Sequence, residues 1–175
     1  EDFFLLAGRL VPYKQPHTAI AAARSAGARL VVAGDGRMAE ACRAMAGPET
    51  TFLGRISDDE MRSLQRRARA LLMPGVEDFG IVPVEAQAAG MPVIAFGEGG
   101  ARDSVIDGAT GVLYDDPSAA GLAAAIERFG RIDGLVNAAG LTDRGDLLGA
   151  GWPHHGKRRA EEMREVANTV ASVGP

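Results

Sequence analysis

Residues 71–100 read LLMPGVEDFGIVPVEAQAAGMPVIAFGEGG, and the order of residue types along them decides the fold. Ala70 to Met73 is an apolar run of strand length, stopped by Pro74 and Gly75. A loop carrying Glu77 and Asp78 follows, and Gly80 leads into a helix with Pro83 in its first turn, where a missing N–H costs little. That helix runs to about Ala89, with Glu85 near its middle, and Gly90 ends it. Pro92 to Phe96 reads as a second buried strand, and Gly97-Glu98-Gly99-Gly100 turns into another helix start. Strand, acidic loop, helix, strand and glycine turn make a βαβ unit, with both loops at the carboxyl edge of a parallel sheet. Helix N-termini at that edge present free N–H groups and positive dipole ends, which is where ligands bind.

Two glutamates straddle the helix start, Glu77 in the loop and Glu85 a little over one turn into the helix. A carboxylate is a double acceptor suited to a vicinal diol of a ribose or hexose, while the helix end suits phosphate. On these residues alone, Glu77 and Asp78 equally serve to complement the helix dipole, and Glu85 equally serves as a solvated helix residue. Upstream, the first strand, Phe3 to Ala7, feeds the loop Gly8-Arg9-Leu10-Val11-Pro12-Tyr13-Lys14. Arg9 offers a planar fork of donors and Lys14 a compact charge, a pair suited to pyrophosphate oxygens.

Glu77, Phe79-Gly80, Glu85, Gly90-Met91-Pro92-Val93 and Gly99-Gly100, in this order, resemble the signature of retaining glycosyltransferases of the GT-B fold, the group 1 family. That family includes sucrose synthases and bacterial mannosyltransferases. The Gly-Arg-Leu-x-x-x-Lys loop at Gly8 to Lys14 belongs to the same pattern. The resemblance implies that Arg9, Lys14 and Glu77 carry catalysis, the two cations on the donor's phosphates and Glu77 on the sugar hydroxyls. It further implies donor contacts at Gly8, Gly34, Arg55 and Ile56, and at Phe79, Gly80, Ile81 and Val82. Glu85 is implied to hold the ribose, and Gly99 and Gly100 to line the same site. Asp103 stands where relatives usually carry glutamate. No cofactor and no metal ion is implied.

The remaining chain reads consistently with that unit. A helix of alanines spans about Pro16 to Ala26, and His17 in its first turn reads as a surface residue. Arg29 to Ala33 is a strand ended by Gly34-Asp35-Gly36, where the resemblance implies close backbone approach to the nucleotide. Met38, Ala41, Cys42 and Met45 recur at helical spacing as a core stripe. Thr50 to Leu53 is a third strand, and Ser57 with Glu60 forms a capping box for a helix that turns Met61, Leu64 and Ala68 inward. The cluster Arg62, Arg66, Arg67 and Arg69 reads as a solvated face. After a short helix from Ala101 to Val105, Val112 to Tyr114 is the last strand. Ser118 then caps a helix with Leu122, Ala125, Ile126 and Phe129 on one face. Six strands alternating with helices give an α/β class with a Rossmann-like parallel sheet, helices on both faces, one half of a GT-B fold.

Composition sets the outer limits. The 175 residues suit one domain with an appendage, here 1–129 as the nucleotide-sugar domain and 130–175 as a divergent extension ending in a helix. A net charge of −4 argues against wholesale electrostatic binding to nucleic acid. The one cysteine, Cys42, cannot form an internal disulfide and reads as a small core residue. Neither a secretory signal nor an apolar run of about eighteen residues is present, so the chain reads as cytosolic, without a membrane span. Peripheral association of a fuller enzyme with a membrane stays open. The start at Glu1-Asp2, without Met, reads as a piece of a longer protein.

From Phe129 the pattern changes. Residues 129–145, with Asn137, Ala139 and Gly140, are similar to a segment of the short-chain dehydrogenases. A Tyr-x-x-x-Lys pair is lacking, because Tyr13 and Tyr114 have no lysine four residues on. His154 and His155 are adjacent and cannot both face one metal on regular structure, and Lys157 to Val173 reads as helical. Three functions therefore stand. The first is the donor half of a retaining, metal-independent transferase using a nucleotide-diphosphate sugar, GDP-mannose by its mannosyltransferase-like Glu77-to-Pro83 run. It lacks the N-terminal domain that binds acceptor and is inactive alone. The second is an NAD(P)-dependent dehydrogenase-like fragment, and the third a nucleotide-binding module without catalysis.

Overall fold

The computed structural model of the chain describes residues 2–78 and 81–131. Six parallel strands form one sheet: β1 (Phe4–Ala7), β2 (Leu30–Ala33), β3 (Thr50–Gly54), β4 (Leu71–Met73), β5 (Val93–Phe96) and β6 (Gly111–Tyr114). Their order across the sheet is β3-β2-β1-β4-β5-β6. Five helices join successive strands: α1 (Pro16–Ser25), α2 (Ala39–Met45), α3 (Asp58–Arg67), α4 (Ile81–Ala88) and α5 (Ala101–Ser104); α6 (Ala119–Gly130) follows β6. This is the Rossmann-like α/β class expected from the alternation, with element ends shifted by one or two residues.

The inner strands read as unbroken apolar runs because both their faces are covered. Side chains alternate between two layers. Phe4, Leu6, Val32, Leu72 and Ile94 meet α1, α2 and α6 through Ile20, Cys42 and Ile126. Leu5, Leu71, Met73 and Val93 meet α3, α4 and α5 through Leu64, Ala86 and Ala101. Each fully buried leucine or isoleucine here contributes roughly 1.5–3 kcal/mol. β3 lies at the edge, and its alternation of half-buried with exposed residues follows from having one neighbour.

Cys42 is buried as read, and burial pushes its thiol up, opposed by Arg43. Ser57 accepts from Glu60 N while the Glu60 carboxylate accepts from Ser57 N, the reciprocal cap read from the sequence. Three expectations need correction. Ala41 is exposed, because α2 begins only at Ala39 and turns Ala39 and Cys42 to the core. Arg69 is no merely solvated charge: its guanidinium lies 5.3 Å from the Phe4 ring centroid and 5.8 Å from that of Phe129, and it pairs with Asp2 at 3.0 Å. His17 is half-buried, its Nδ1 without solvent access or a hydrogen-bond partner among the described residues. No helix among the described residues is long and apolar enough to cross a membrane.

Candidate functional site

The chain winds outward from β1 through β2 to β3, then returns to β4 on the other side of β1. The helices that follow β1 and β4 therefore cover opposite faces of the sheet, and such a switch point opens the crevice where α/β sheets bind ligands. The β1 loop ends in a tight 3-10 turn, Pro12–Lys14, that delivers Lys14; the β4 loop delivers Glu77. Lys14 Nζ lies 2.7 Å from Glu77 Oε1, with each side chain only 19% exposed. The pair shares a crevice with Leu6, Met73, Gly75 and Val82.

Missing side chains bring these loops together. A Cβ at Gly75 would collide with the Tyr13 carbonyl oxygen and sit 2.7 Å from Lys14 Cα. Gly8, at φ +117°, leaves 3.5 Å between such a Cβ and Lys14 Nζ. Gly34, at φ +139°, packs directly on the Gly8 carbonyl, while its own N–H donates to Gly54 O at 2.7 Å. The need for glycine at Gly34 thus includes contact between neighbouring loops, beyond the approach to a ligand inferred from the sequence. On the other side, Gly100 N donates to Glu77 O at 2.8 Å, and a Cβ on Gly99 would stand 2.7 Å from the same oxygen. The Gly99-Gly100 turn therefore pins the backbone of the acidic loop.

α4 begins at Ile81, shortly after Glu77, so its amide end is tethered to this loop. Ile81 is exposed and Val82 is half-buried against the α3–α5 layer. Glu85 is exposed on the outer face of α4, yet partial desolvation by its neighbours raises its pKa, and the like charge of Asp58 raises it further. Asp58 opens α3 just after the loop of Arg55 and Ile56, so Glu85 is within electrostatic reach of that loop's end. Ile56 packs half-buried against the same layer, and Arg55 is exposed. Arg9 is exposed on the β1 loop. Phe79 and Gly80 lie outside the described residues. Among the described residues, no group of three or more His, Cys, Asp or Glu side chains is placed to hold a metal.

The ion pair itself was not legible in the sequence, nor was Gly75 as the spacer between loops. Nor was Gln15, which takes a left-handed conformation (φ 54°) between the 3-10 turn and α1. Pro12 and Pro16 bracketing Lys14 are the one sequence signal of that constrained turn.

Comparison with known proteins gives a family. The model of glycosyl transferases group 1 matches residues 1–138. A second, described as a domain of unknown function (DUF1932), matches residues 136–175. Those residues, most of the dehydrogenase-like segment 129–145 and the C-terminal helix read at Lys157 to Val173 lie outside the described residues. Glycogen synthase from Mycobacterium tuberculosis is 37% identical over 133 residues, 70% of this chain and 32% of the relative. D-inositol 3-phosphate glycosyltransferase from Mycobacterium bovis is 36% identical over 137 residues, 71% of this chain and 28% of the relative. The chain spans about a third of the length of these curated relatives. Sucrose-phosphate synthase from Thermosynechococcus elongatus superposes with a TM-score of 0.71 at 26% identity, over 97% of this chain and 46% of that one. Anabaena HepE in complex with UDP and glucose shares the fold, at a TM-score of 0.66 and 22% identity over 98% of this chain and 49% of that one. With the first model matching well over half its length, the chain belongs to the group 1 glycosyl transferases.

Proposed function

We propose that this chain is the donor-binding half of a retaining glycosyltransferase and takes a nucleotide-diphosphate sugar at the carboxyl edge of its sheet. The observation that carries the reading is the meeting of Lys14 and Glu77 at the switch point between β1 and β4. A cation from one loop and a carboxylate from the other provide for the two halves of such a donor, phosphate and sugar. Lys14 and Arg9 bind the diphosphate, and with the amide end of α4 they offset the charge that builds on it as the glycosidic bond breaks. Glu77 accepts from sugar hydroxyls and Glu85 from the ribose, with Arg55 and Ile56 against the base. Gly8, Gly34, Ile81, Val82, Gly99 and Gly100 complete the wall. Residues 1–129 form this unit and 130–175 an extension. An N-terminal domain of the same fold supplies the acceptor site, so the chain alone binds donor and turns it over poorly or not at all.

GDP-mannose is the first donor to test, from the run Glu77 to Pro83. A uridine donor is the second reading, favoured by the similar HepE, which is seen with UDP-glucose. Titration calorimetry with GDP, GDP-mannose, UDP, UDP-glucose and NAD tests the proposal. Saturable binding of one nucleoside diphosphate and its sugar, lost in Arg9→Ala, is expected. Binding of NAD alone contradicts it and restores the dehydrogenase reading of residues 129–145.

A further inference from the structure

Lys14 and Glu77 hold each other at 2.7 Å, yet the proposed function sends them to different parts of one ligand. We propose that this ion pair is an exchange device that makes the crevice favour a nucleotide sugar over the bare nucleoside diphosphate. The inference rests on reading the crevice as a donor site and goes beyond it in assigning Glu77 a role against product.

Both side chains are about four-fifths covered, so neither is fully rehydrated when its partner leaves. A diphosphate arriving at the β1 loop competes with Glu77 for the ammonium of Lys14. Once Lys14 turns to the phosphates, the Glu77 carboxylate is left partly buried beside an anion. Its backbone cannot retreat, because Gly100 N holds Glu77 O at 2.8 Å and Gly99 packs against the same oxygen. The carboxylate then needs new hydrogen-bond donors, and it repels the negative charge next to it.

A sugar attached to the diphosphate supplies those donors through its hydroxyls. It also caps the terminal phosphate, which in the bare nucleoside diphosphate carries a further negative charge. With the sugar, Lys14 and Glu77 exchange one partner each and both end satisfied. Without it, only Lys14 gains a partner and Glu77 is left facing like charge. The discrimination is therefore built from repulsion as much as from attraction. Its consequence for turnover is that the nucleotide product leaves the crevice instead of competing with fresh donor.

Calorimetry on the full chain and on Glu77→Gln and Glu77→Ala tests this, with UDP against UDP-glucose and GDP against GDP-mannose. Thermal melts establish that each variant is folded, and either one suffices. For the base that binds, removing the carboxylate is expected to tighten the bare diphosphate about tenfold, the scale of one screened like-charge contact. Affinity for the matching nucleotide sugar stays level or falls, so the preference for the sugar form shrinks by at least that factor. Binding with an unchanged ratio in a folded variant overturns the exchange and leaves the donor reading standing. A wild-type chain that binds none of the four ligands overturns both.

Discussion

Gly34 and Gly108 both hold backbone conformations that side chains rarely adopt, at φ +139° and +75°, but only Gly34 also has backbone packed against it. Gly108→Ala meets open space and is expected to cost about 1 kcal/mol, the conformational term alone. Gly34→Ala drives a methyl into the Gly8 carbonyl and is expected to cost about 3 kcal/mol or more. Denaturant midpoints of the two variants check the contrast. Glu85 gives a pH-dependent counterpart. Burial first and Asp58 second raise its folded pKa above the ordinary 4.5. The proton therefore binds the folded state more tightly, and stability falls as pH rises from about 4.5 through the folded value. Because Glu85 is exposed and its charge is screened by solvent, Glu85→Gln should raise the unfolding temperature at pH 7 only slightly, leave it unchanged near pH 4, and weaken nucleotide binding. Equal melting of wild type and variant at pH 7 contradicts the first of these. At this scale the motif positions were readable because residue type and order carry them. Lys14's partner was not, because Glu77 is brought to it only by the sheet order, which no local pattern encodes.

Elements were legible where one interaction dominates locally. The reciprocal cap of Ser57 and Glu60 and the cap of Ser118 over Gly121 start α3 and α6 where side chains four or fewer residues apart can decide it. The inner strands β1, β2, β4 and β5 were legible because burial on both faces leaves nothing polar in them. Contacts between distant elements were not. Arg69 bridges Asp2 and the Phe4 and Phe129 rings, though its sequence neighbours suggest only a charged surface. Arg128 of α6 likewise meets Asp107 Oδ2 at 2.7 Å, while Asp107 Oδ1 accepts from Leu113 N at 2.9 Å, tying the loop before β6 to α6. Desolvation raises the pKa of Asp107, but Arg128 and the Leu113 amide outweigh it and hold the carboxyl below its ordinary 3.8. The stabilisation is therefore present above about pH 3.8 and is lost as pH falls through the lower folded value. Asp107→Asn keeps the acceptor for Leu113 and removes the charge. It is expected to lower stability at pH 7 by no more than about 1 kcal/mol, as a half-exposed pair should. The gap should close in acid, as read by denaturation at both pH values.

For the whole molecule, the order β3-β2-β1-β4-β5-β6 turns scattered sequence signals into one place. Loops that start from β1 and β4 are far apart in the chain and adjacent in the sheet, and the glycines at 8, 34, 75, 99 and 100 let their backbones close up. Fold class and family were legible because the βαβ unit from Leu71 to Gly100 carries both periodicity and motif. In the proposed mechanism the diphosphate's charge is met by Arg9, Lys14 and a helix end. Chain joined to an acceptor domain should then keep sugar transfer in excess EDTA, and loss of transfer restored by added Mg²⁺ contradicts that. The central claim is spatial: one crevice at the carboxyl edge takes the donor. Hydrogen–deuterium exchange on the full chain, with and without a saturating nucleotide sugar, tests it most directly. Slowed exchange concentrated in residues 8–15, 75–78 and 98–101 is the result expected; protection confined to other segments, such as α6 and the β6 edge, contradicts the account.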